Sequence, residues 1–240
     1  MAPAHAKAGA SAARSSKATK ATGAAAGDAE GRGRRRQGER TEAKLLDAGM
    51  QVLGERGFHA ARVDDIVRVA DVSHGTFYLY FANKEDLFRA LAVRCADAMT
   101  ELAAALPPID PGPAGLAELR SWLARFVALY RTYGVVIRAW MEDQVASREL
   151  ARLGSRTFAA VVKVLVARLE EAGSVAPERA ELSAAALLAM IERLTYFVTS
   201  RDLDADDEVV AGTLAVLVHR GFFAAPAPTG TSGRGPRRRR

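Results

Sequence analysis

The chain has 240 residues, 49% of them apolar and 26% charged, with a net charge of +6 and one cysteine. That length allows one large or two modest domains with a sizeable core, and patterning with little strand-like alternation points to an all-α protein. No uninterrupted apolar run reaches the roughly 18 residues of a membrane span, so none is expected. Cys95 cannot form an internal disulfide; it fits a reducing cytoplasm and reads as a small core residue rather than a redox switch.

The charge is uneven. Residues 1–40 carry nine Lys/Arg against three acids, and residues 224–240 carry five arginines and no acid. Residues 41–223 are acidic, with 20 Lys/Arg against 25 Asp/Glu. Basic arms on an acidic body suit a protein that holds DNA with its tails and reads it with a folded domain. For the arginine-rich end, 233–240, solubility or a GC-rich genome explains the composition equally well. The run from Arg32 to Arg36 lies beside the segment read below as DNA-binding and points to nucleic acid.

Residues 1–37 hold almost nothing to bury and are expected to be a disordered basic arm. Residues 40–56 place Leu45, Leu46, Gly49, Val52 and Leu53 in helical register, with Gly57 as a left-handed stop and Phe58 as its apolar follow-on. Two short helical patterns then meet across a turn of about three residues, a helix-turn-helix reading pair over 62–81. In the first, Val63, Ile66, Val67 and Ala70 make one apolar stripe, with Asp64 and Asp65 in the first turn. Asp71 ends it, Val72 plugs the turn, and Ser73 caps the second helix. There Phe77 and Phe81 share the inward face. The outward face offers Gly75 for close backbone approach, His74 and Thr76 for base edges, Leu79 for a thymine methyl, and the phenols of Tyr78 and Tyr80 for phosphate. Arg62, Asp64, Ser73 and Lys84 complete the DNA-facing set, with Arg62 and Lys84 as phosphate contacts. On periodicity alone, a surface helix of an ordinary bundle fits equally well. Asn83 caps a fourth helix, with Asp86 as capping-box partner, and Leu87 opens an apolar series that runs to about residue 106.

Gly57 and Phe58, then Val63 and Ile66, then Ala70, Val72, Ser73, Gly75, Thr76, Phe77, Tyr78, Tyr80, Phe81, Asn83, Lys84, Glu85 and Leu87 in this spacing resemble the DNA-binding domain of the tetracycline-repressor (TetR) family over about residues 39–95. Two positions depart from the pattern. Arg62 stands where the family usually has a Thr or Ser cap, a loss of about 1 kcal/mol, and Asp71 replaces the usual helix-ending glycine. The resemblance implies an N-terminal three-helix DNA-binding domain, a C-terminal helical ligand-binding and dimerisation domain, and a small effector seated against the fourth helix that shifts the spacing of two reading heads.

Residues 107–113, rich in proline, mark the loop into the second domain. Beyond it Leu119, Trp122, Leu123, Phe126, Val127 and Tyr130 form an apolar face, and a break is expected at Tyr133 and Gly134 before a helix over 135–146. A longer helix follows over 149–172, stopped by Gly173. The last two helices, 177–199 and 207–222, are broadly apolar with small residues and are expected to pair with a second copy as a four-helix bundle, a homodimer. The candidate effector pocket is walled by Trp122, Phe126, Tyr130, Trp140, Met141, Phe158 and Val162, with Gln144 and Tyr130 as polar handles. Such a lining favours a small hydrophobic or aromatic molecule over a sugar or polyanion.

His5, His59, His74 and His219 are far apart and in no metal-like spacing, and no glycine loop cradles phosphate. The pairs Asp64 with Asp65 and Glu170 with Glu171 point about 100° apart on their helices. No metal, cofactor or enzyme activity is therefore expected. The domains are expected at 1–37 (arm), 38–98 (DNA-binding), 99–223 (ligand-binding and dimerisation) and 224–240 (disordered Arg-rich tail). The expected function is a sequence-specific transcriptional regulator, a repressor of a near-palindromic operator on double-stranded DNA, cytoplasmic and nucleoid-associated. An activator, a non-specific architectural DNA protein and a helical enzyme with a vestigial motif are the alternatives.

Overall fold

A computed structural model describes residues 12–141, 147–200 and 205–224, with side chains from Gly33 onward except those of Arg34, Met141 and Ser200. Eight α-helices follow one another among these residues: α1 Ala12–Ala60, α2 Val63–Ala70, α3 His74–Tyr80, α4 Lys84–Ala104, α5 Pro113–Met141, α6 Arg148–Ala172, α7 Pro177–Ser200 and α8 Asp207–Val218. A π-helical turn, His219–Phe223, closes the series.

The head gathers α1, α2, α3 and the start of α4. Leu45, Leu46 and Leu53 from α1, Ile66 from α2, Phe77 from α3 and Leu87 and Phe88 from α4 are all within 2% of full burial. Gly57 interrupts α1 at φ 72° and ψ 168°, a region open in practice only to glycine. This lets Phe58 turn inward, where its ring meets Phe88 edge-on at 5.1 Å. In the body, α5 is central and packs against α1, α4, α7 and α8, while α4 also packs on α6.

Several elements follow the sequence closely. Asp71 takes the left-handed conformation at φ 52°, Ser73 and Asn83 cap α3 and α4, and Gly173 ends α6 at φ 60°. Ser147, unforeseen, caps that helix.

Other expectations need correction. The arm expected to lack structure over 1–37 is helical from Ala12 onward, and residues 1–11 lie outside the described ones. A lack of buriable side chains rules out a core but not a helix, because extending an already packed helix requires no new nucleus. The break at Gly134 is absent, and α5 runs through it. A helical glycine costs only about 1 kcal/mol, and the burial of Val136, Ile137 and Ala139 just beyond it holds the helix on. The last helix changes to π geometry at His219 rather than continuing as α to residue 222. The Arg-rich tail past Ala224 lies outside the described residues. No membrane span was expected, yet the stretch Pro177–Thr199 is long and apolar enough to cross one by length and composition, with a third of its most apolar window buried inside the chain.

The proline loop is anchored at both ends. Arg168 donates to the Leu106 carbonyl at 2.8 Å, and His219 Nε2 donates to the Asp110 carbonyl at 2.9 Å. Asp110 also presses on the first turn of α5, where a Cβ on Gly115 would stand 1.9 Å from its carbonyl oxygen. A Cβ on Gly134 would meet nothing within 4 Å. Gly115→Ala should therefore cost about 3 kcal/mol by overpacking, whereas Gly134→Ala should stabilise by about 0.5 to 1 kcal/mol. Urea denaturation of the two variants checks both signs.

Candidate nucleic-acid interface and effector cavity

The reading pair is locked from behind. Phe77 is fully buried and Phe81 nearly so, their rings 5.8 Å apart. Ser73 Oγ accepts from the Thr76 backbone N–H at 3.1 Å and shares a second hydrogen bond, 2.9 Å, with the Thr76 hydroxyl. Serine and threonine thus cap the helix together, and Thr76 is half-buried. The outward surface of α3 is Leu79, 83% exposed, Tyr78, 57% exposed, and the exposed Gly75 and His74. His74 Nε2 lies 2.7 Å from Asp64 Oδ1. This bond crosses from α3 to α2 and offers a partner to an acid that would otherwise repel phosphate.

Asp65 is the more consequential acid. It is buried to 8% exposure, paired with Arg68 at 2.6 Å and with Arg56 of α1 at 3.2 Å. Its two partners are partly exposed arginines, so the pair links α2 to α1 while leaving both cations in reach of water. Arg62 is exposed, makes no side-chain cap, and has no ion-pair partner among the described residues. Tyr80 is half-buried, and its hydroxyl lies 3.6 Å from where a Cβ on Gly38 would stand. The stretch of α1 carrying exposed Arg35, Arg36 and Arg40 therefore passes beside the reading helix.

Lys84 is not turned outward with Tyr78 and Tyr80 as a phosphate contact. Its ammonium donates to the carbonyls of Phe58 at 2.8 Å, His59 at 3.3 Å and Ala61 at 3.0 Å, and sits 4.7 Å from the centre of the Phe58 ring. The end of α1 leaves carbonyls without helical partners, and three donors on one long side chain satisfy them. Asn83 and Asp86 fix the helix start that aims this side chain. Asn83 Oδ1 accepts from the Asp86 N–H at 2.8 Å, and Asp86 Oδ2 accepts from the Ala82 N–H at 3.1 Å. Asp86 also pairs with Arg89 at 2.6 Å, and Arg89 reaches Glu149 at the start of α6 at 3.0 Å.

Farther along, α4 forms one wall of a cavity of about 460 Å³. Of the expected lining, Trp122, Phe126, Tyr130, Trp140 and Phe158 face it and Val162 does not. The side chain of Met141 and all of Gln144 lie outside the described residues. The rings of Trp122, Phe126 and Tyr130 stack in sequence at 5.8 Å and 5.1 Å along α5, and Trp122 donates to the Leu102 carbonyl at 2.8 Å, tying α5 to the last turn of α4. A Cβ on Gly154 would come within 3.1 Å of Trp140. The fourth helix was expected to border the pocket, though not which of its residues, Cys95, Met99 and Leu102; the contribution of α7, Leu188 and Glu192, was not foreseen. Their positions on helical faces were legible, but nothing local revealed which faces converge. Tyr130 donates to Glu192 Oε1 at 3.1 Å. Burial, then the nearby carboxylate, pushes the Tyr130 phenol upward, so it stays a donor. Burial pushes the Cys95 thiol up to about 12, leaving it protonated and unreactive near neutrality.

A short helix pair across a tight turn, presenting one exposed face and carried on a larger helical body, has the geometry of a helix-turn-helix. Residues 45–91 match the model of the bacterial regulatory proteins of the tetR family. An uncharacterized HTH-type transcriptional regulator, YhgD of Bacillus subtilis, is 23% identical over 184 residues, 75% of this chain and 95% of its own. Among solved structures, a transcriptional regulator from Aquifex aeolicus has a TM-score of 0.59 at 18% identity, covering 76% of this chain and 99% of its own. The fatty acid degradation regulator FadR from Bacillus halodurans has a TM-score of 0.56 at 22% identity, covering 75% and 98%. Residues 45–91 therefore carry a tetR-family DNA-binding domain, and the chain as a whole is similar to transcriptional regulators of that type. The family and these relatives are regulators, not enzymes.

Lys84→Ala strips three carbonyls of a charged donor, which should cost about 2 to 3 kcal/mol of stability. Thermal unfolding of the variant, with Lys84→Arg alongside, checks it. Cys95, buried and protonated, should react with a bulky charged thiol reagent at pH 8 far more slowly than a free thiol, and its labelling should accelerate in urea.

Proposed function

We propose that the protein is a homodimeric, ligand-released repressor that lays α3 of each copy into the major groove of a near-palindromic operator. The observation that carries this is the outward face of α3, where a bulky leucine, a phenol and an imidazole stand exposed around Gly75 on a helix fixed from behind. An exposed leucine on a rigid helix makes little sense facing only water, and it suits a thymine methyl. His74, Thr76 and Leu79 carry sequence preference. Arg62, Tyr78 and Tyr80 carry phosphate affinity, with Arg35, Arg36 and Arg40 adding sequence-independent attraction. Asp64 and Ser73 serve by holding His74 and Thr76.

The domain division follows the same logic, with residues 38–98 as DNA-binding head and 99–223 as effector and dimerisation domain, even though α4 itself crosses residue 98. Dimerisation is assigned to α7 and α8, whose Leu182 is 77% exposed, Val209 62% and Leu217 51%. The apolar stretch of α7 is then the covered face of a bundle rather than a membrane span. The protein acts in the cytoplasm, on the nucleoid. The effector occupies the aromatic cavity. To swing the operator from 99:1 bound to 99:1 free it must favour the released state by about 5.5 kcal/mol.

Selection from random duplex DNA supplies the operator. Arg62→Ala should then reduce the salt slope of operator binding by about one and weaken all sequences alike. Leu79→Ala should relax preference at one or two base pairs by about 1 to 3 kcal/mol. If the truncated chain 38–223 binds no DNA selectively while a peptide of the basic arm retains all the affinity, the protein is a non-specific architectural binder instead.

A further inference from the structure

The cavity's polar anchor has a sign. Among its described lining residues, Glu192 is the one that bears a charge. A carboxylate beside an apolar wall is costly unless something compensates it. The Tyr130 hydroxyl gives it one neutral hydrogen bond. The neighbouring cation on α7, Arg193, is exposed and lies over the ring of Tyr196, 5.3 Å from its centre. The rings of Trp122, Phe126 and Tyr130, stacked on one another, line the same cavity as Glu192, together with Trp140. A carboxylate set among aromatic and aliphatic side chains around one volume attracts a positive charge on an apolar body and repels a negative one.

We infer that the cavity is built for a hydrophobic organic cation, an aromatic or alkyl body carrying one ammonium group that pairs with Glu192. This rests on the reading of the cavity as the effector site and narrows the effector to a charge class. Its volume of about 460 Å³ lies within the ordinary range for small-molecule sites. The hydroxyl of Tyr130 holds the carboxylate in place, so Tyr130 is a positioning residue for the cation.

Three probes of one shape and different charge test it: naphthylpropylammonium, naphthylpropanol and naphthylpropanoate, titrated calorimetrically into the full-length protein. The ammonium should bind roughly tenfold or more tighter than the alcohol, and the carboxylate most weakly. In Glu192→Gln the ammonium should weaken by roughly tenfold while the alcohol changes by less than about threefold. An alcohol as tight as the ammonium, a carboxylate that binds best, or no binding by any of the three overturns the inference. Should Glu192→Gln fail to fold, the wild-type ranking decides alone. The same probes added to the operator complex separate this inference from the reading beneath it. Cation-selective binding that leaves the complex intact keeps the charge class and removes the effector-release reading. Release of operator by alcohol and ammonium alike keeps the release reading and removes the charge class.

Discussion

One helix has to satisfy two cores at once. The first half of α4 is buried in the head through Leu87, Phe88 and Leu91, and its second half walls the cavity with Cys95, Met99 and Leu102. At 21 residues it spans roughly 30 Å without interruption. Both ends are fastened by groups that do not bend easily. At the head, the ammonium of Lys84 holds three carbonyls around the end of α1; at the other end, Trp122 grips the Leu102 carbonyl. A rigid rod pinned at each end transmits tilt rather than absorbing it. Trp122, in the cavity wall, is in this way joined through α4 and Lys84 to the end of α1, from which α2 and α3 follow.

A second link runs beside the first. Asp86, in the capping turn of α4, pairs with Arg89, which also pairs with Glu149 in the first turn of α6. Farther along α6, Gly154 touches Trp140 and Phe158 borders the cavity. Arg89 and Glu149 are partly exposed, and as an energy source such a pair is worth little. Its value lies in direction, because it ties the start of the head's last helix to a cavity wall other than α4. Two unequal tethers, one buried and one screened by salt, thus join the head to the walls of the cavity.

What the sequence made legible is local chemistry. Ser73, Asn83, Asp71 and Gly173 act within four residues of themselves, so capping and left-handed stops could be read directly, as could the inward pair Phe77 and Phe81. What it hid is long-range. Lys84 finds its carbonyls more than twenty residues away, and its position at a helix start, beside a surface taken for DNA-facing, argued for phosphate. The partnership of Tyr130 with Glu192 spans 62 positions, and periodicity could not say that the α7 face bearing Glu192 looks into the same cavity as the α5 aromatics. The missed continuity of α5 through Gly134 has a different cause: a local cost of about 1 kcal/mol is smaller than the burial of Val136, Ile137 and Ala139 beyond it.

The two halves of the molecule also answer opposite electrostatic demands. In the head, exposed Arg35, Arg36, Arg40 and Arg62 stand around the reading pair, while two acids of α2 are paired, Asp64 with His74 and Asp65 with Arg56 and Arg68. In the body one acid, Glu192, lines the cavity. Pairing the head's acids internally keeps them from opposing phosphate while they hold α1, α2 and α3 together. An acid in an aromatic cavity does the reverse, leaving a demand for positive charge that a bound molecule can meet. Under the proposed function, DNA and effector are then separated by sign as well as by distance, with arginines around the reading helix and a carboxylate in the aromatic cavity.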